Sequence, residues 1–248
     1  MAAYGQLCTL FYDADKPRAS AAEVAWYASR LPRDAGPVLE AMAGSGRLLL
    51  PLCKQRINVH GVDHSEAMQA SCAARLDHAG LATPLFRQDL AALNLPFRYA
   101  AAFVAAGSFQ LIVDPIAAMT ALERLRAHLI GPGVLLLDFI VPGEALHPPG
   151  ATVIEVRTVT LEDGSKIALR SETIVDAEGR RIDTRGRYER REGARLLARE
   201  DEMIALTWYD EDEIVALLGD AGYRDIVIEG SPLPAAGVER RFAVRARA

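Results

Sequence analysis

Glu40, Gly44, Gly46, Asp63 and Asp89 are the residues whose types and spacing speak of chemistry in this 248-residue chain. Glu40 lies in an apolar stretch, residues 37–42, that reads as a short buried strand. Gly44-Ser45-Gly46 follows, and then a helical stretch to about Lys54. Glycines between a buried strand and a helix let backbone approach a ligand closely, and a helix N-terminus favours negative charge. A carboxylate ahead of that turn would repel a pyrophosphate, but it suits a cationic amine or ribose hydroxyls. Asp63 ends the second predicted strand, where a carboxylate can accept hydrogen bonds from both ribose hydroxyls of a nucleoside. Asp89 follows the third, where an acceptor can meet an adenine amino group. Three acids therefore end three successive strands on one edge of one sheet.

The elements that must position these residues alternate in type. Ser20 can cap a helix over 21–31, broken by Pro32 and Asp34-Ala35-Gly36. Strands are predicted over 37–42, 57–62, 85–88, 100–105 and 134–140. Helices are predicted over 65–78, capped by Asp63 or Ser65, and over 115–130, where Gly131-Pro132-Gly133 stops the chain. Strands alternating with helices in this order imply a mostly parallel sheet covered on both faces. Between Thr152 and Thr207 the period becomes two, with turns at Asp163-Gly164, Glu178-Gly179 and Glu192-Gly193, which reads as an antiparallel meander of about four strands. A capped helix over 210–221 and strands over 223–229 and 240–245, a terminal hairpin, complete the chain.

The segment Glu40-Ala41-Met42-Ala43-Gly44-Ser45-Gly46 resembles the glycine-rich first motif of the class I S-adenosylmethionine-dependent methyltransferases, and residues 61–68, with Asp63, His64 and Met68, resemble their second. Gln88-Asp89-Leu90 and Ala105-Ala106-Gly107-Ser108-Phe109 match the third motif and the loop after the fourth strand. The resemblance spans residues 36–142 and 208–246. It implies an α/β fold: a Rossmann-like, mostly parallel sheet with a C-terminal antiparallel hairpin, here carrying an inserted antiparallel β-meander. It also implies S-adenosyl-L-methionine as cofactor, with Glu40, Ala41, Gly44 and Gly46 at its methionine part, Asp63 at the ribose, and His64, Met68, Asp89, Leu90 and Ala105 around the nucleoside. The N-terminal segment is similar to that of small-molecule N-methyltransferases acting on amino sugars and glycine. There an early tyrosine lies near the sulfonium and an arginine holds the methionine carboxylate, roles for which Tyr12 and Arg18 are the nearest candidates. Phe109, Phe139 and His147 are candidates for the acceptor pocket. One departure is Met42, where the family usually has glycine; its side chain would narrow the methionine pocket or shift the backbone. The domain organisation expected is a cap or lid over residues 1–35, the cofactor-binding domain over 36–150 and 208–248, and a lid or dimerisation element over 151–207.

Composition narrows the function further. Half the residues are hydrophobic and a quarter charged, so a sizeable core is available. A net charge of -5 gives no general attraction to phosphate backbones, and nucleic acid is not an expected partner. Eight arginines against three acids over 180–199 read as a solvated strand face. Three cysteines without a Cys-x-x-Cys pairing fit a reducing compartment. With no apolar run near the ~20 residues of a membrane span, and no signal-peptide pattern at the start, a cytoplasmic protein is expected. No metal site is expected, because His60 and His64 straddle a strand and its loop rather than sharing a helical face. The loop after the fourth strand lacks the Asn/Asp-Pro-Pro-Tyr pattern of enzymes that methylate planar amines of DNA or protein, so a small-molecule acceptor is expected. No general base for a hydroxyl stands out beyond His147, which leans towards N-methylation. The rival readings are a nicotinamide-dependent oxidoreductase, disfavoured by Leu49 in place of a third glycine, an enzyme cyclising the aminobutyrate part of S-adenosylmethionine, and a non-catalytic binding module. An exposed strand edge in the insertion leaves room for a homodimer.

Overall fold

The computed structural model describes residues 4–143, 152–233 and 240–248. A seven-stranded sheet runs in the order β10-β11-β5-β4-β1-β2-β3. It comprises β1 (Val38–Ala41), β2 (Val59–Asp63), β3 (Leu85–Arg87), β4 (Tyr99–Val104), β5 (Leu129–Val141), β10 (Arg224–Gly230) and β11 (Arg240–Arg247). The first five are parallel to their neighbours, whereas β11 pairs antiparallel with both β5 and β10. The order reverses between β1 and β4, which opens a crevice at their carboxyl ends, the place where open α/β sheets bind ligands.

Alternation along β1 divides the core. Leu39 and Ala41 face a cluster that includes Val104, Phe109, Leu122 and Phe139. Val38 faces the opposite cluster, built on Tyr27, Leu49, Leu52 and Phe103. Glu40 shares the face of Val38 by the two-residue period. Helices α2 (Ala21–Ala28), α3 (Leu49–Lys54) and α4 (Glu66–His78) cover that side, and α5 (Pro115–His128) and α6 (Glu211–Asp220) cover the other. Ser65, not Asp63, caps α4, through a 3.1 Å bond from the Met68 N–H.

Two departures from the sequence reading have physical causes. The Gly131-Pro132-Gly133 segment does not separate α5 from its strand: β5 begins at Leu129 and absorbs the segment as an irregularity, its pairing with β4 shifting between Tyr99 and Ala101. An unforeseen helix, α1 (Gln6–Asp15), precedes α2. Its N-cap is Gly5, which supplies no side-chain cap, so nothing local announces it. Its first N–H groups are satisfied from nearly two hundred residues away. Glu200 accepts from Leu7 and Cys8 at 3.1 and 2.9 Å, and Glu202 accepts from Tyr4 at 3.1 Å and from Gly5.

Those glutamates belong to the inserted sheet, β6 (Thr152–Thr160), β7 (Lys166–Asp176), β8 (Arg181–Glu192) and β9 (Arg195–Thr207), four antiparallel strands in sequence order. One face packs on α1, where Leu7, Cys8 and Phe11 meet Ile167 and Tyr188. The arginine-rich stretch is largely neutralised. Arg180, Arg181, Arg187, Arg190, Arg191 and Arg199 each pair with a carboxylate, exposed pairs that contribute little to stability but leave no concentrated positive face. Among the described residues no helix is long and apolar enough to cross a membrane.

Carboxylate-to-backbone bonds contribute about 1.5 kcal/mol or more each. Replacing Glu200 and Glu202 together by Gln is therefore expected to speed amide exchange over Gln6–Asp15 at least tenfold while leaving β1 and β4 unchanged, as hydrogen-exchange mass spectrometry would record.

Candidate active site

The turn from β1 to α3 carries three left-handed residues, Met42 at φ +57°, Gly44 at +54° and Gly46 at +76°. Met42 holds the backbone a glycine would adopt, at a cost of roughly 1–2 kcal/mol, so the loop is not displaced. Its side chain rests against the core and lines the crevice. Gly46 does not line the crevice. A Cβ there would stand 2.6 Å from the Cys72 sulfur, so this glycine serves the close packing of the loop on α4.

Asp63, at the end of β2, ties the site together. One carboxylate oxygen accepts from the Gly44 N–H and the other from the Ser65 N–H, both at 2.8 Å. The glycine loop and the start of α4 are thereby held on one side chain, and each oxygen keeps a lone pair directed elsewhere.

The crevice is a chain of three adjoining cavities. The first, of about 580 Å³ with its open mouth included, is lined by Tyr4, Tyr12, Glu40, Met42, Gly44 and Arg47 with Asp63, His64, Met68, Ala105 and Ser108. Arg47 is gripped by Glu23 of α2 through two bonds of 2.7 and 2.5 Å. Glu40 is 3 % exposed, and its Oε2 has no hydrogen-bond partner. Burial, reinforced by the nearby Glu23 and Asp63 carboxylates and opposed by Arg47, holds its pKa well above the usual carboxylate range. An orphaned acceptor of this kind costs several kcal/mol unless something fills the cavity and donates to it.

The second cavity continues past Met42, Asp63 and His64 to Gln88, Asp89, Leu90 and Asp114, with Met203 and Ile204 of β9 closing it. Asp89 gives one oxygen to the Ala91 N–H at 2.8 Å, starting a single 3-10 turn over Leu90–Ala92. The third cavity opens between Tyr4, Ser108 and Leu111 on one side and Ile140, Ile182, Leu206 and Trp208 on the other. Gln110 is committed to its frame: its amide nitrogen donates to the carbonyls of Ile140 and Thr207 at 2.8 and 2.9 Å, and its oxygen accepts from the Ile140 N–H at 2.8 Å.

The wall shared by the first and third cavities is the turn after β4, where Ala106 and Gly107 are both left-handed, at +58° and +69°. Asp138 of β5, 3 % exposed, secures it by accepting from the Gly107 N–H at 2.9 Å.

The structure brings together most residues named from the sequence and removes others. Glu40, Gly44, Asp63, His64, Met68, Ala105 and Tyr12 share the first cavity, and Asp89 and Leu90 line the second. Ala41 is fully buried in the core under the loop. Arg18 is exposed between α1 and α2 and does not line the crevice; the guanidinium present there is Arg47. Phe109 and Phe139 are wholly buried and pack edge to face at 6.3 Å, with Tyr209 and Phe242 around them, so they build the floor of the fold rather than the pocket. His147 lies outside the described residues. Several lining residues had no role assigned from the sequence, Arg47, Trp208 and Tyr4 among them. Arg47 directly follows the glycine loop, Trp208 opens the return from the insertion, and Tyr4 had no local signal at all.

Burial pushes the Asp138 carboxyl up to about 6, against the lowering effect of the Gly107 and Ala106 N–H groups. For an acid raised in the folded state, stability is largest below the unfolded pKa of 3.8 and falls as pH climbs to about 6. A shift of this size corresponds to about 3 kcal/mol. The carboxyl carbon resonance of Asp138 is expected to titrate near pH 6, and an ordinary carboxylate midpoint in the NMR titration would contradict the burial argument.

Residues 38–133 match the family model described as a methyltransferase domain. A search of curated proteins returns no match. Among solved structures, the chain is similar to an S-adenosylmethionine-dependent methyltransferase from Clostridium acetobutylicum ATCC 824, at 19% identity over 96% of both chains with a TM-score of 0.74. It is also similar to KedS8, a sugar N-methyltransferase from Streptoalloteichus sp ATCC 53650, at 21% identity over 98% of this chain and 94% of that one, TM-score 0.74. A third is CalS10, an amino pentose methyltransferase from Micromonospora echinaspora solved with S-adenosylmethionine bound, at 21% identity over 100% and 99%, TM-score 0.70. Residues 38–133 thus match a methyltransferase domain, and with its strand order and glycine loop the chain has the fold of the class I S-adenosylmethionine-dependent methyltransferases.

Proposed function

We propose that the protein binds S-adenosylmethionine across the first two cavities and transfers its methyl group to a small molecule held in the third, an amine in preference to a hydroxyl. The observation that carries this reading is Glu40, a lining residue of the first cavity whose buried carboxylate has an Oε2 without a hydrogen-bond partner. It calls for a donor, and the α-ammonium of an amino-acid moiety is one. The remaining residues fit the same molecule. Asp63 offers lone pairs to ribose hydroxyls, Asp89 lies further along the crevice at the nucleobase end, and Met68 and His64 flank the nucleoside. The bound cofactor supplies an electrophilic methyl on a sulfonium. The protein's part is to align the acceptor behind that carbon and to exclude water, and such positioning can supply much of the catalysis.

Preference for an amine rests on the third cavity. Among the described residues its lining includes no carboxylate and no imidazole. Its phenol, Tyr4, is pushed to a higher pKa by burial, which makes it a poor base for a hydroxyl acceptor. A neutral amine needs only alignment. The N-terminal segment and the inserted sheet supply Tyr4, Ile182, Ile204 and Leu206 to this cavity and serve as its cover. The free thiols of Cys8, Cys53 and Cys72 suit a cytoplasmic setting. Strand β6, at the open edge of the inserted sheet, is the surface for a homodimer.

Titration calorimetry with S-adenosylhomocysteine tests the cofactor reading. Micromolar binding is expected, more than a hundredfold weaker in Asp63→Ala, which loses the loop staple together with the ribose acceptor. Because an ammonium favours the ionised form of Glu40, binding should release a proton and tighten as pH rises towards the raised pKa. Heats in two buffers of different ionisation enthalpy would measure that release, which Glu40→Gln should abolish along with at least tenfold in affinity. A folded wild-type protein that ignores the ligand would sink the reading.

A further inference from the structure

We infer that Glu23, on a helix outside the matched methyltransferase domain, is a positioning residue that presents Arg47 to the carboxylate end of the cofactor's amino-acid moiety. This inference rests on the cofactor reading above and assigns the side of the first cavity opposite the nucleoside.

The sequence around Glu23 predicts a different use for it. Ser20-Ala21-Ala22-Glu23 is a capping-box pattern, in which the glutamate at the third helical position returns to the N-cap N–H. The same device is complete on α6, where the Asp210 side chain takes the Glu213 N–H and the Glu213 carboxylate takes the Asp210 N–H, each at 2.9 Å. On α2 only half of it forms. Ser20 Oγ accepts from the Glu23 N–H at 3.1 Å, while the Glu23 carboxylate turns inward and holds both terminal nitrogens of Arg47.

Glu23 is fully buried and the Arg47 side chain 13% exposed, so both charges are largely withdrawn from water. Such a pair repays its desolvation poorly, and an apolar pair of similar volume often stabilises a fold as well or better. Its geometry, however, orients a guanidinium rigidly. End-on pairing with Glu23 uses two of the five N–H groups, and Tyr12, another lining residue of the first cavity, accepts a further one. Two N–H groups remain on a cation that lines the same cavity as Glu40, whose buried Oε2 lacks a partner. A zwitterionic amino-acid group needs one acceptor for its ammonium and one fork of donors for its carboxylate, and Glu40 and Arg47 are those two groups. The backbone is pinned to match, since the Ala19 N–H, just ahead of α2, donates to the Arg47 carbonyl at 3.3 Å.

The test compares two ligands on the same protein. S-adenosylhomocysteine carries the amino-acid carboxylate; 5′-methylthioadenosine keeps the adenosine and thioether but lacks it. Glu23→Gln and Arg47→Lys are each expected to weaken S-adenosylhomocysteine at least tenfold while changing methylthioadenosine by less than twofold. Glu23→Asp, which keeps the charge on a shorter arm, should fall between them and the wild type, and circular dichroism would confirm that each variant folds. Equal losses for both ligands would reduce the pair to a structural role, and unchanged preference in Glu23→Gln would overturn the inference outright. A wild-type protein that binds neither ligand would instead refute the cofactor reading beneath it.

Discussion

The carboxyl end of β1 imposes the constraint on which the rest of the site depends. Strand order reverses beside it, so a crevice must open there, and the chain places a glutamate at that point with one oxygen buried and unbonded. A solitary carboxylate in such surroundings is expensive, and the neighbouring groups make sense as its management. Arg47 supplies positive charge nearby but is itself restrained by Glu23. Asp63, a second carboxylate at the next strand end, spends its charge on the Gly44 and Ser65 N–H groups. What remains is a cavity lined by an unpartnered acceptor, a restrained cation and a preformed backbone turn.

Backbone strain is distributed in the same way. Six described residues other than glycine have positive φ, and three of them, Tyr4, Met42 and Ala106, line the first cavity. They come from three separate parts of the chain. Each is held by the structure around it: Tyr4 by the Ser65 hydroxyl donating to its carbonyl at 2.7 Å and by Glu202 at its N–H, Met42 by its packing on the core, and Ala106 by the buried Asp138 behind its turn. Strain concentrated at one cavity, and fixed by partners outside it, is the pattern of a preorganised site.

The parallel sheet was legible because its central strands are apolar runs bounded by glycine turns, and the acids at their ends stood out against that background. The meander was legible from its period and its turns. The failures share a physical origin in long-range pairing. Helix α1 has an N-cap glycine that offers no side chain, so Glu200 and Glu202 satisfy its first N–H groups, and no local pattern can reveal that. Arg18 was the nearest candidate for the arginine that the resemblance implies, yet the arginine that lines the cavity is Arg47, paired with a glutamate 24 positions away. Phe109 lies in the turn after β4 and Phe139 near the end of β5, but aromatic side chains at strand ends are pulled into the core as readily as into a pocket, and only packing decides which. Met42 marks the opposite case: the sequence flagged the oddity correctly, while the outcome, an intact turn at some cost in strain, depended on the left-handed backbone being enforced from elsewhere.

The division of labour along the chain follows from where the lining residues originate. The segment that matches the methyltransferase family, 38–133, holds Glu40, Asp63, Asp89 and the turn after β4, which line the first two cavities. It contains only one side of the third cavity. The rest of its lining comes from Tyr4, the end of β5 and the inserted sheet, with Ile182, Ile204, Leu206 and Trp208. Those two outer segments are bound to each other through the Glu200 and Glu202 caps on α1 and the packing of Phe11 on Tyr188, so they cover the crevice as a joined unit. The lining of the third cavity consequently depends on contacts between segments distant in sequence, whereas most of the lining of the first comes from residues 38–133. That asymmetry is why the family match takes in one wall of the third cavity, while the rest of its lining is set by packing among the N-terminal segment, the end of β5 and the inserted sheet.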